Sequence, residues 1–321
     1  MLRAALLMLG FAFCIGCGGR AGTPSATAPA GGGKGTIGVS LLTLDNPFFK
    51  VIGDTIAAEG RKHGYETVVV SGDNDVAKQG NQVKDFIVKK AAAIVLSPCD
   101  SKAIVPVIQE ANAAGIPVFT VDIPCNEPDV KIVTQVATDN RGGGREAGAA
   151  MIEALGEAGG EIAILDYKRV ESAMLRVQGF REVIDAHNAA GKGRIAVVAE
   201  LDSGGAKDIG FKAAEDAVQA NPNLRGIFAI NDPAALGARA ALEKAGRTGV
   251  AIVGFDGQPE GRRAIREGKI YADPIQFPDR MGATIVEAII RHSKGETLPP
   301  QMLIPTRLYR QADAEKDADL N

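Results

Sequence analysis

The sequence predicts an α/β protein built as two doubly wound, parallel-sheet lobes, and three observations carry that reading. The chain has 321 residues, more than a single core accommodates, since cores stop growing near ~250–300 residues. From Thr36 onward, short β-branched runs alternate with amphipathic stretches of helical length, and several runs are apolar nearly throughout, as strands covered on both faces must be. Ten such runs can be read, which is more than one small sheet usually holds.

The elements follow in order. Residues 1–17, MLRAALLMLGFAFCIGC, place one basic residue (Arg3) before an apolar run and then small residues up to Cys17. This is the layout of an export signal, and the run is shorter than the ~20 residues of a membrane-spanning helix. Cys14-Ile15-Gly16-Cys17 resembles a lipobox, with Cys17 as the lipidated residue. Cleavage without a lipid and an uncleaved anchor are the alternatives. Residues 18–35 are Gly, Ala, Ser, Thr and Pro-rich with nothing to bury, and read as a flexible tether.

The predicted strands are 36–42, 66–72, 92–98, 116–122, 131–137, 161–166, 194–201, 226–232, 251–256 and 270–276. Between them lie helical patterns such as 48–64, 77–90 and 101–115, ending in Lys-rich or Gly-terminated turns that suit helix C-termini. Residues 311–321 are polar and acidic without an apolar period, and read as a frayed tail. The formal charge of −3 supplies no field for gathering polyanions, so nucleic acid is not expected as a partner. Glycine is abundant (39 residues) and aromatics are scarce (5%, with no tryptophan), which favours tight strand–helix turns over a sandwich core.

Ligands of doubly wound sheets bind at the carboxyl ends of the strands. Read in order, those ends hold Asp45-Asn46-Pro47-Phe48-Phe49, Pro98-Cys99-Asp100, Asp122-Ile123, Asp166-Tyr167-Lys168-Arg169, Asn231-Asp232, Phe255-Asp256 and Gln276. Carboxylates and amides suit vicinal hydroxyls, and a phenyl ring covers the C–H face of a sugar. Taken singly, each of these Asp, Asn and Pro residues is also explained as a turn or helix cap. Their distribution over both lobes is what favours a site.

The segments 44–49 (LDNPFF), 97–104 (SPCDSKAI), 120–124 (TVDIP), 137–144 (ATDNRGGG), 176–180 (RVQGF), 227–238 (IFAINDPAALGA), 253–261 (VGFDGQPEG) and 275–282 (IQFPDRMG) resemble the periplasmic ribose-binding protein family, within the type I periplasmic solute-binding proteins. The likeness runs from about Thr36 to about Leu308. It implies a three-segment hinge, with crossings near Ala137–Asn140, Ile275–Phe277 and Leu303–Thr306. It also implies a first lobe of 36–138 plus 277–303 and a second of 139–276 plus 304–310. The ligand residues it implies are Asn46, Phe48, Phe49 and Asp122 in the first lobe, Asn231, Phe255 and Asp256 in the second, and Gln276 at the hinge.

Three departures bear on the ligand. Where the family has two arginines, this chain has Ile123 and Met174, and Arg176 reads as structural. A third aromatic of the second lobe aligns near Gly204–Gly205, where there is no ring. Lys168 or Arg169 could restore a cation. Losing two charge-assisted bonds, each worth roughly 1.5–3 kcal/mol, argues against ribose. A monosaccharide, deoxy sugar or polyol with an apolar edge is expected instead.

Other chemistry is weaker. Gly142-Gly143-Gly144-Arg145 lacks the Walker spacing and is expected to serve close helix packing. His63, His187 and His292 have no Cys or carboxylate cluster at ligand spacing, so no metal is expected. No nucleophile elbow is present, so neither an enzyme nor a cofactor is expected. Cys99 and Cys125 follow neighbouring strands and are either bridged or two separate thiols. The resemblance implies a periplasmic or cell-surface lipoprotein that delivers a small polyhydroxylated ligand to an ABC permease with its ATPase. A chemosensory receptor on the same fold is the alternative. A repressor core is disfavoured, because no DNA-reading helix-turn-helix precedes Thr36.

Overall fold

The computed structural model describes residues 33–191 and 193–320. The export segment, Cys17 and the tether up to residue 32 lie outside them.

The first βα run reads β1 (Thr36–Leu41), α1 (Pro47–Lys62), β2 (Glu66–Ser71), α2 (Val76–Val88), β3 (Ala93–Leu96), α3 (Val105–Ala113), β4 (Val118–Val121) and β5 (Gln135–Thr138). The second reads α4 (Asn140–Leu155), β6 (Gly160–Asp166), α5 (Glu171–Ala189), β7 (Ile195–Asp202), α6 (Lys207–Ala220), β8 (Leu224–Ala229), α7 (Asp232–Lys244), β9 (Ala251–Val253), α8 (Pro259–Arg266) and β10 (Ala272–Ile275). The chain then returns through α9 (Pro278–Ser293) and β11 (Gln301–Ile304), and crosses again to β12 (Arg307–Arg310) and α10 (Gln311–Ala314).

Two six-stranded sheets result, ordered β11-β5-β4-β3-β1-β2 and β12-β10-β9-β8-β6-β7. Every pairing in the first is parallel, and in the second only β10 with β12 is antiparallel. The predicted two-lobed α/β class is therefore what forms. The ten apolar runs all become strands, and β3 to β5 are buried at every position, as a sheet covered on both faces requires. Sequence reading missed β11 and β12. Both are edge strands of four residues, β11 with exposed alternate positions and β12 with an arginine at each end, too short and too polar to show as apolar runs.

The chain passes between the sheets three times, after β5, after β10 and after β11. These crossings lie side by side at one sheet edge. Asp139 N–H donates to the Ile304 carbonyl at 2.9 Å, and Thr138 Oγ1 donates to Gln276 Oε1 at 2.6 Å. Asp139 also caps α4, accepting from Gly142 N–H at 2.9 Å. The glycines that follow are packing residues: a Cβ on Gly144 would lie 2.1 Å from the Arg176 carbonyl oxygen, and one on Gly179 would lie 2.0 Å from that of Arg141. The two helices thus approach backbone to backbone, which sets the position of α5 relative to the hinge.

The C-terminal segment differs from expectation. It is docked rather than frayed: Ala314 and Leu320 are buried, Tyr309 Oη donates to Asp317 at 2.7 Å, and Arg262 pairs with the same carboxylate at 3.3 Å. Leu320 packs in the second-lobe core, with its carbonyl accepting from Arg266.

Candidate functional site: the interlobe cleft

The carboxyl ends of both sheets face a cavity of about 550 Å³, within the ~300–1,000 Å³ range of small-molecule sites. Asn46, Phe48, Phe49, Asp122 and Ile123 line it from the first lobe, Asn231 and Asp256 from the second, and Gln276 from the hinge.

Local folding explains how each side chain arrives. Asn46 caps α1, its Oδ1 accepting from Phe48 N–H at 3.0 Å, and Pro47 then fixes the first helical turn. This swings Phe48 and Phe49 over the cavity as an edge-to-face pair with centroids 5.4 Å apart. Asn231 caps α7 in the same way, accepting from Ala234 N–H at 3.0 Å, and its amide donates to the Gly205 carbonyl at 2.9 Å. The cap explanation of these two asparagines is therefore correct as far as it goes.

Asp122 and Asp256 both sit in the left-handed backbone region, with φ of 64° and 102°. L-residues rarely occupy it, and such strain concentrates at functional sites. Asp256 is held by three donors: Arg176 Nη1 at 3.1 Å, Gln276 Nε2 at 2.6 Å and Gln258 Nε2 at 3.3 Å. Burial pushes its carboxyl above the usual range, and Arg176 opposes that shift. Asp122 is buried, and its Oδ1 has no partner among the described residues. Burial raises it to about 7, with Arg176 opposing and Asp256 adding to the shift. Behind Asp256, Asp232 and Asp273 are both buried, and both Asp273 oxygens lack a hydrogen-bond partner among the described residues. Burial first, and then the Asp273 charge, push Asp232 well up, and burial raises Asp273 to about 6.

Several expectations are corrected. Phe255 does not reach the cavity; it is fully buried and lies beneath Arg176, whose guanidinium carbon is 3.9 Å from the ring centroid. Arg176 is a buried cation of the cleft. It donates to Asn140 Oδ1 at 2.8 Å, to the Ile230 carbonyl at 2.7 Å and to Asp256, and it lines the cavity. Met174 faces away, into an outer groove with Lys168, Val177 and Arg181. Residues two apart on a helix point ~200° apart, so α5 cannot present both Met174 and Arg176 to one side. The cleft-facing series Ser172, Ala173, Arg176 was the signal that could have chosen between them.

Lys168 pairs with Glu200 on the outside, and Arg169 faces Asp100 of the first lobe at 3.6 Å, so neither restores a cation to the cavity. The second lobe does supply a ring. Tyr167 lines the cavity, and a Cβ on Gly205 would come within 3.6 Å of its Cδ1. The gap left by Gly204–Gly205 is thus filled from the neighbouring strand end.

The two cysteines are free and buried. Cys99 follows β3 and turns toward β1, its Sγ 3.6 Å from the Leu42 carbonyl. Cys125 follows β4 and turns toward β5, its N–H donating to Gln135 at 2.8 Å. Cys99 packs in the apolar cluster with Val39 and Val95 and Cys125 in the one with Ile94 and Leu96, and no bridge links them. Burial pushes Cys99 up to about 11, which keeps it a thiol.

Two strand-end carboxylates, an edge-to-face ring pair and a hinge-borne amide around an interlobe cavity define a two-lobed solute-binding protein. The chain belongs to the periplasmic binding protein family, whose domain model matches residues 37–297. It is 34% identical over 286 residues to the ribose import binding protein of Salmonella typhimurium, covering 89% of this chain and 93% of that one. It is 36% identical over 244 residues to the D-apiose import binding protein of Actinobacillus succinogenes, covering 76% and 77%. Among solved structures, an ABC transporter solute-binding protein from Mycobacterium smegmatis with bound glycerol matches with a TM-score of 0.81 at 31% identity, covering 88% of this chain and 96% of that one. Its relatives are substrate-binding transport proteins rather than enzymes, and the family's place is outside the cytoplasm. No helix among the described residues is long and apolar enough to cross a membrane.

Proposed function

We propose that the protein is the receptor of an ABC importer that closes over a monosaccharide, deoxy sugar or polyol other than ribose. In this reading it is lipid-anchored at Cys17, with residues 18–35 as its tether, and it hands its ligand to a permease with its ATPase. The carrying observation is the pair of buried carboxylates, Asp122 and Asp256, that meet one cavity from opposite lobes. A ligand with hydroxyls toward both bridges the lobes and so prefers the closed state. The proposed contact set is Asn46, Phe48, Phe49, Asp122, Asn231, Asp256 and Gln276, joined by Arg176 and Tyr167.

The argument against ribose now rests on Ile123 alone, since Arg176 is present. Ile123 is buried against the cavity beside Asp122. One absent charge-assisted bond, roughly 1.5–3 kcal/mol, corresponds to about one to two decades in affinity. The relatives' names cover two sugars and a solved neighbour holds glycerol, so family membership leaves the ligand open. A dye-based thermal-shift panel of pentoses, hexoses, deoxy sugars and polyols tests the reading. A deoxy sugar or polyol should give the largest shift, and ribose giving it would sink the proposal.

A further inference from the structure

Away from the hinge crossings, the lobes are hydrogen-bonded at one place among the described residues. Ser101, in the loop after β3, donates its N–H to the Arg169 carbonyl at 3.1 Å. Its Oγ accepts from Glu171 N–H at 3.0 Å. Next to it, Asp100 faces Arg169 at 3.6 Å. Ser101 is buried, whereas the Arg169 side chain is 47% exposed, so solvent screens the ion pair and the two Ser101 bonds dominate.

Glu171 is the first residue of α5, the helix that carries Arg176. The N-cap position of α5 is Val170, which has no side-chain oxygen, and no side-chain cap comes from within its own lobe. A helix start leaves its first N–H groups without intrahelical partners, and here one of them is capped by a hydroxyl of the opposite lobe. The first turn of this helix also forms cavity wall through Val170, Ser172 and Ala173. In the sheet order, β3 is fourth from the hinge edge and β6, which leads into α5, is fifth. Rotation about the hinge moves such distant points most, so a small opening breaks both bonds.

We propose that Ser101 is a positioning residue, a latch that caps α5 from the first lobe only when the cleft is closed. It thereby holds the Arg176 helix in place and populates the closed state without ligand. The closed state gains from Ser101 whatever fills the cavity, so the device is independent of ligand identity.

The test uses full-length protein stripped of ligand by unfolding and refolding. Ser101→Ala should shift the small-angle scattering profile toward the open form and reduce the closed-to-open ratio about fivefold, equivalent to ~1 kcal/mol. Hydrogen-exchange protection at the Glu171 amide should fall with it, and Ser101→Thr, which keeps the hydroxyl, should restore both. Unchanged scattering and unchanged Glu171 protection in Ser101→Ala would overturn the proposal. So would a loss of protection spread evenly over the helices of both lobes, which marks general destabilisation instead of a lost latch.

Discussion

Asp122 and Asp256 occupy matching places in the two lobes. Each follows a buried parallel strand, each has a left-handed backbone, and each faces the same cavity. Their surroundings differ. Asp256 is bound by Arg176, Gln276 and Gln258 and is tied to the hinge through the Gln276–Thr138 bond. Asp122 has an unpartnered oxygen and an isoleucine beside it. A buried carboxylate that already has its donors serves as a fixed part of the wall, and one that lacks them awaits a donor from outside. In the proposed receptor the second-lobe carboxylate is preorganised, and the Asp122 oxygen is the one left for a ligand.

The largest effect should come from breaking the satisfied member. Asp256→Ala leaves Arg176 buried with its main counter-charge gone. Removing one partner of a buried pair costs about 3–5 kcal/mol, so both the melting temperature and binding should collapse together. Calorimetry alongside titration checks this. A variant with native stability and lost binding would show that Asp256 serves only the ligand.

Asp122→Asn should separate the two properties. Binding should fall by about one to two decades through loss of a charge-assisted bond, while stability is kept, because no buried cation is abandoned. The pH dependence has a definite sign. Asp122 lies near 7 when folded and near ~3.9 when unfolded, so between those values the folded state binds more protons. Its contribution to stability is therefore greatest below about 4 and declines as pH rises to about 7. Asp273, raised to about 6 by burial, acts in the same direction. Ligand hydroxyls need the ionised form of Asp122 as acceptor, so affinity should rise over the pH range in which stability falls. In Asp122→Asn the affinity slope should flatten and the stability slope should shrink to the part Asp273 contributes, and titrations from pH 5 to 8 in which either slope is unchanged would count as a failure.

The same contrast explains what could be read from sequence. Strand ends in βα units are fixed by apolar runs of six to eight residues, so the sequence itself places Asn46, Asp122, Asn231 and Asp256 at strand ends facing the cleft. Direction within an element is harder. Phe255 directly precedes Asp256, yet its ring goes beneath Arg176 instead of into the cavity. Met174 and Arg176 were confused because a sequence match ignores the helical turn between them. Tyr167 stands at a strand end, but its place as the second-lobe ring is not legible in sequence because the space it fills lies beside Gly205, 38 residues further along the chain. Short edge strands and a tail held by Tyr309, Arg262 and Arg266 depend on tertiary partners that no local pattern records.

Giving Asp122 the kind of partner that Asp256 has should produce the smallest change and the sharpest comparison. Ile123→Arg places a guanidinium next to an unpartnered buried carboxylate, and a nearby opposite charge favours the ionised form. Asp122 should then titrate well below 7. Its pH slopes should come to resemble those of an ordinary ion-paired aspartate, with stability now lost toward acid. Affinity for ribose should rise about tenfold, consistent with one regained charge-assisted bond, and affinity for the preferred deoxy sugar or polyol should fall as its apolar edge meets a charge. The arginine must remain solvated or paired, because an unpaired one at a buried position would lower the melting temperature by itself. Ribose binding that improves together with a lowered Asp122 titration would tie specificity to the missing partner. Unchanged ribose binding in a folded variant would place specificity elsewhere in the cavity, on Tyr167 and the glycines beside it.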